Sequence, residues 1–275
     1  MKNILILTDF SDNSWNSITY TLALFKNKSC NFYLLNGVNK HEEYFVKNSR
    51  SLVKIKEKKD AKTAFDKLAI KVANSPLKGA HRFFPIIAEI DIIEAARAQI
   101  KEKNIDLVVI GTNGLSYTGR QNNISPISED IITKLKSSIL VVPFEAHFSG
   151  LKEIAFPTDY TNFKEAKLLQ KISDLIKSHK ASTSFVYMTK KINKLDKEQQ
   201  WNKETLHDYF LNQPHSFHVE VNEDFELTIE NFIDTNGVDL IVMAAKNLNL
   251  FEQILFRPKI KNIKYYFKTP FLVIH

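Results

Sequence analysis

The 275-residue sequence has a single cysteine, Cys30. No disulfide can form within the chain, and a reducing compartment follows, with the cytoplasm as the expected location. Long apolar runs are also missing. The longest, such as 107–110 and 139–143, are strand-sized, whereas a helix crossing a bilayer needs about 20 apolar residues. A membrane span is therefore not expected. The opening MKNILILTDFSD holds an apolar run, but Asp9 follows it and no small-residue cleavage site appears, so it reads as a buried strand rather than a targeting peptide. Metal and nucleophile motifs are lacking as well: there is no cysteine pair, no H-E-x-x-H and no G-x-S-x-G. The only local group of histidines is His207, His215 and His218, and the spacing of the last two places them on opposite faces of a strand. Neither a catalytic residue nor a metal site is expected, and the chain reads more as a binding protein than as an enzyme.

What is present describes a folded protein, with 44% hydrophobic and 25% charged residues. The net charge of +7 is densest at 54–62, KIKEKKDAK, where Glu57 and Asp60 interrupt the lysines at helical spacing. That is the pattern of a solvated helix face, and without a zinc-finger spacing or an aromatic RNA motif it argues against a nucleic-acid partner.

The strongest signal is an internal repeat. NILILTDFS at 3–11 answers EIAFPTDYT at 153–161, aligning Asp9 with Asp159; IDLVVIGTNGL at 105–115 answers VDLIVMAAKNL at 238–248; ILVVP at 139–143 answers FLVIH at 271–275. Each half also alternates strand and helix patterns. Apolar, β-rich runs near 3–8, 31–36, 83–88, 106–110 and 139–143 recur near 153–157, 182–187, 216–221, 239–243 and 270–274. Between them lie helical stretches, capped by Ser11 or Asp12 and by Asp91 in the first half, and falling near 161–178, 194–212, 224–236 and 259–267 in the second. The fold class is α/β, two tandem doubly wound parallel-sheet domains, over 1–146 and 151–275, joined at AHFSG.

A first strand ending T-D-x-S/T, a fourth strand D-L-(V/I)-V-(I/M) before a glycine loop, and a fifth ending V-V-P or V-I-H resemble the universal stress protein family, in tandem. The resemblance implies strand order 3-2-1-4-5 in each half and a ligand site at the switch point between strands one and four. It also implies that the two halves pair through 139–143 and 269–274 as a pseudo-two-fold, intrachain pseudo-dimer, with a homodimer as a further assembly. Members that bind ATP carry G-x2-G-x9-G-(S/T) after strand four, where glycines let the backbone approach phosphates. The candidate adenine-nucleotide site here is Thr8, Asp9, Gly111, Asn113, Gly114 and Ser125. The third glycine is missing, and Pro126 falls in the first turn of the next helix, deleting a donor. In the second half Ala244 replaces Gly111, Lys246 and Asn247 replace Asn113 and Gly114, and Arg257-Pro258 stands at the Gly-Ser position. The expectation is a non-catalytic stress-response protein that binds a protein partner, its nucleotide site degenerate in both halves and more so in the second. The alternative is an ATP-binding, slowly hydrolysing protein that uses the first half alone.

Overall fold

A computed structural model describes residues 1–37, 50–76, 79–112, 125–161, 166–191, 194–245 and 268–275. The chain divides into two compact units, Met1–His147 and Phe148–His275.

In the first unit β1 (Lys2–Leu7), β2 (Cys30–Gly37), β3 (Arg82–Ala88), β4 (Leu107–Gly111) and β5 (Ile139–Val142) lie in the order 3-2-1-4-5. Every pairing among them is parallel. Ile4 to Leu7 of β1 and all of β4 and β5 are buried without alternation, the pattern of strands covered on both faces. The connecting helices are α1 (Asp12–Leu24), α2 (Arg50–Ala73), α3 (Ile92–Glu102) and α4 (Pro126–Lys134). The sequence offers caps for two of them, Ser11 or Asp12 for α1 and Asp91 for α3. Ser11 caps α1 by accepting from Ser14 N, Asp91 caps α3 by accepting from Ile93 N and Glu94 N, and Ser125 caps α4 with Pro126 as its first residue.

The second unit repeats the plan with β6 (Glu153–Thr158), β7 (Ser182–Thr189), β8 (His215–Val221), β9 (Leu240–Ala244) and β10 (Phe271–Ile274). Their order is 8-7-6-9-10, again all parallel, which is 3-2-1-4-5 counted within the unit. Its helices among the described residues are α5 (Ala166–His179), α6 (Lys197–Phe210) and α7 (Phe225–Asn236). The helix expected near 259–267 lies outside the described residues.

One repeated residue has a purely structural explanation. The aspartate that opens each D-L-(V/I)-V motif ties the start of the fourth strand to the start of the first. Asp106 Oδ2 accepts from Asn3 N at 2.8 Å and Asp239 Oδ2 from Glu153 N at 3.1 Å, while the aspartate amides donate back to Asn3 O and Glu153 O. This clamp sets the β1–β4 and β6–β9 registers, and so decides which residues meet at the strands' carboxyl ends.

Candidate functional site

The T-D-x-S/T motif builds a strained turn, identically in both units. Phe10 (φ 64°) and Tyr160 (φ 58°) occupy the left-handed region, a costly conformation for an aromatic residue. Side chains on either side hold them there. Thr8 Oγ1 accepts from Phe10 N at 3.1 Å, and Asp9 Oδ1 accepts from Ser11 N at 3.0 Å and Ser11 Oγ at 2.5 Å. In the second unit Thr158 Oγ1 accepts from Tyr160 N at 2.9 Å, and Asp159 Oδ1 accepts from Thr161 N at 2.9 Å and Thr161 Oγ1 at 2.7 Å. The motif is thus an Asx-turn nested with a threonine turn. In the first unit it places Ser11 Oγ to cap α1, and Asn36 Nδ2 anchors it from β2 by donating to Thr8 O at 2.8 Å.

The sequence-predicted residues Thr8, Asp9 and Gly111 line a single crevice at the β1/β4 switch point, together with Ser11, Asn13 and Ser128. Ser125 stands beside it, bonded to Ser128. Asn113 and Gly114 lie outside the described residues, as do Lys246, Asn247, Arg257 and Pro258 of the second half.

The crevice has about 20 Å³ of free volume, enough for a single water and far below the ~300 Å³ at which small-molecule pockets begin. Its described lining contains one carboxylate, Asp9, and no basic side chain. The polar groups at the α4 start are engaged with one another. Ser125 N donates to Thr112 O at 2.9 Å, Ser128 N to Ser125 Oγ at 3.1 Å, and Ser128 Oγ reaches Gly111 O at 3.2 Å. Pro126 has no N–H, so among the described residues Ile127 supplies the amide of that turn that is left for a ligand.

Asn13 was not marked by any sequence pattern. It is 8% exposed, and its carboxamide lies directly over Gly111: a β-carbon built on Gly111 would stand 2.8 Å from Asn13 Nδ2 and 3.0 Å from Oδ1. Gly111 is therefore required by a close approach, and the approaching group is a side chain of the same unit. Asn13 Oδ1 is buried without a hydrogen-bond partner.

The equivalent turn of the second unit is roofed by α6. Gln199 Nε2 donates to Asp159 O at 2.9 Å and Asn202 Nδ2 to Tyr160 O at 2.7 Å. Tyr160 is 1% exposed and stacks on Tyr187 with centroids 5.0 Å apart. Burial, with Tyr187 adding to it, pushes its phenol well above the ordinary tyrosine range. By contrast Phe10 meets α2 through an edge contact with Phe65, centroids 4.9 Å apart.

Away from these turns, His207 Nδ1 and His215 Nε2 lie 3.1 Å apart, while His218 packs against Phe232 of α7. No group of three or more potential metal-ligating side chains occurs among the described residues. No helix among them is long and apolar enough to cross a membrane.

The fold is shared with solved structures. A universal stress protein from Archaeoglobus fulgidus is similar over 99% of this chain and 95% of its own, with TM-score 0.69 and 12% identity. A putative universal stress protein from Pseudomonas aeruginosa is similar over 100% of this chain and 93% of its own, with TM-score 0.61 and 11% identity. No curated protein matches the sequence. The family model of the universal stress protein family matches residues 1–143, the segment that carries the T-D-F-S turn, the aspartate clamp and the crevice between β1 and β4. By that match, and with the fold it shares with those structures, the chain belongs to the universal stress protein family.

Proposed function

We propose that this universal stress protein is a non-catalytic, cytoplasmic stress-response protein that works through a protein partner, and that its nucleotide site is degenerate in both units. The observation that carries the reading is the crevice at the β1/β4 switch point, with about 20 Å³ of free volume and a described lining that holds a carboxylate and no cation. A triphosphate brought there meets charge of its own sign. The α4 terminus beside the crevice has committed the Ser125 and Ser128 amides internally and has none at Pro126, which leaves Ile127 as the described amide of that turn for a phosphate. In the second unit Ala244 replaces the glycine, and the α6 bonds to Asp159 O and Tyr160 O cover the turn. Partner binding is supported by the second unit's surface, where α6 and β8 leave Trp201 70% and Val219 61% exposed.

One observation favours ATP binding by the first unit alone: α4 begins at Ser125 beside the crevice, the placement a phosphate site needs. Thr8, Asp9, Gly111, Asn113, Gly114 and Ser125 are the residues that this second reading requires. The two separate on nucleotide content and turnover. Freshly purified protein that releases no adenine nucleotide on denaturation and hydrolyses no ATP agrees with the first reading. Released nucleotide, or turnover abolished by Gly114→Arg, establishes the second.

A further inference from the structure

Two of the three clustered histidines meet where α6 hands over to β8. His207 lies in the last turn of α6, and His215 is the first residue of β8. The backbone between them is held: Gln213 N donates to Phe210 O at 2.8 Å, and Pro214 O accepts from Thr183 N at 3.1 Å. Both rings pack on Phe217, with centroids 6.3 Å away for His207 and 5.5 Å for His215. His207 is exposed and His215 half-buried, so water reaches the pair.

The hydrogen bonds assign the protons. His215 Nδ1 lies 2.9 Å from Gln213 O. A carbonyl oxygen only accepts, so in the neutral ring Nδ1 carries the hydrogen and Nε2 a lone pair. His207 Nδ1, 3.1 Å from that lone pair, is then the donor. A hydrogen held between two imidazole nitrogens at this spacing stands where a metal ion can stand. Metal–imidazole bonds of about 2.0–2.1 Å, meeting at roughly 90–110°, place two ligating nitrogens about 2.9–3.4 Å apart. The observed 3.1 Å falls inside that range. Gln213 O already holds the far N–H of His215, the outer contact that fixes the tautomer of a metal-bound histidine. The carbonyl end of α6, next to His207, adds its own attraction for a cation.

We propose that His207 Nδ1 and His215 Nε2 form a two-ligand site for a divalent transition metal that favours imidazole, such as Zn²⁺, Cu²⁺ or Ni²⁺. Binding moves the His207 hydrogen from Nδ1 to Nε2, so the neutral pair loses no proton and both rings turn a lone pair onto the ion. Two protein ligands are fewer than the three of catalytic or the four of structural zinc sites. The remaining positions belong to water, and the ion exchanges with solvent rather than holding the fold. His218 takes no part: it lies on the other face of β8, with its ring against Phe232 and its Nε2 2.8 Å from Ser216 Oγ. The site belongs to the second unit and is independent of the crevice between β1 and β4.

The test is calorimetric titration of Zn²⁺ into the EDTA-stripped full-length chain and its His207→Gln, His215→Gln and His147→Gln variants, the last altering an exposed histidine of the first unit. The expected result is one zinc per wild-type chain, unchanged binding by His147→Gln, and binding weakened about tenfold or more in each of the other two. Nitrogen NMR of the histidine rings in the wild type identifies the ligating atoms without any substitution, and so decides the matter if a variant does not fold. It should find His215 protonated at Nδ1 before zinc, and His207 Nδ1 and His215 Nε2 shifting together as zinc is added. A wild type that takes up no zinc, or equal binding by all four proteins, overturns the inference. Loss in only one of His207→Gln and His215→Gln reveals a single-histidine contact and overturns it too, as does a zinc shift confined to other ring nitrogens.

Discussion

Gly111→Ala tests the contact at the centre of this account without any ligand. Its β-carbon would meet Asn13 Nδ2 at 2.8 Å, Cγ at 2.9 Å and Oδ1 at 3.0 Å, where ordinary contact begins near 3.4 Å. The carboxamide must therefore retreat by about 0.6 Å, the difference between 3.4 and 2.8. Overpacking of this kind costs about 1–3 kcal/mol. The lower half of that range applies, because Asn13 Oδ1 has no hydrogen bond to break and an asparagine side chain yields more readily than backbone. We expect ~1–2 kcal/mol of lost stability in the wild-type background and close to none in Asn13→Ala, where the new methyl occupies vacated space. Urea unfolding of both single variants and the double variant, followed by circular dichroism, gives the coupling directly. If Gly111→Ala costs the same in both backgrounds, Asn13 does not hold the position described and the close-approach argument is wrong.

Two further substitutions probe the second unit. Burial first, then Asp234 and Asp224, raises the Glu230 carboxyl from 4.5 to about 7. Its folded-state value lies above the unfolded one, so the ionised group destabilises above pH 7 and that penalty disappears as pH falls from 7 to below 4.5. Glu230→Gln should then add about 1–2 kcal/mol at pH 8, a figure discounted for solvent screening, and nothing at pH 4. An equal gain at both pH values, read by urea unfolding, would remove the electrostatic cause. Tyr160→Phe deletes a buried hydroxyl without a partner and keeps the ring that stacks on Tyr187. It should stabilise the unit by about 1 kcal/mol in the same assay, and a loss of stability would mean that the hydroxyl is bonded.

The strands were legible because each is a short apolar run repeated in order, and the aspartates at 106 and 239 marked the fourth strands before their clamping role was visible. The helix caps at Ser11 and Asp91 followed from local chemistry, since a cap and the amides it serves lie within three residues. The contact between Asn13 and Gly111 was not legible. Asn13 and Gly111 are far apart in sequence, and their approach depends on how α1 lies across β4. The left-handed aromatic residues were hidden for a different reason: Phe10 and Tyr160 have no propensity for that conformation, and it is imposed by the threonine and aspartate before them. Nor could the α6 roof be read, because Asn202 and Gln199 look like ordinary polar positions on a helix until their partners are known.

The central claim is that the first unit keeps the family's ligand position but closes it. Calorimetric titration of the wild-type chain with ATP, ADP and AMP tests it most directly. The account predicts no heat beyond dilution for any of the three. Micromolar binding of any one of them, abolished by Gly114→Arg, would contradict it.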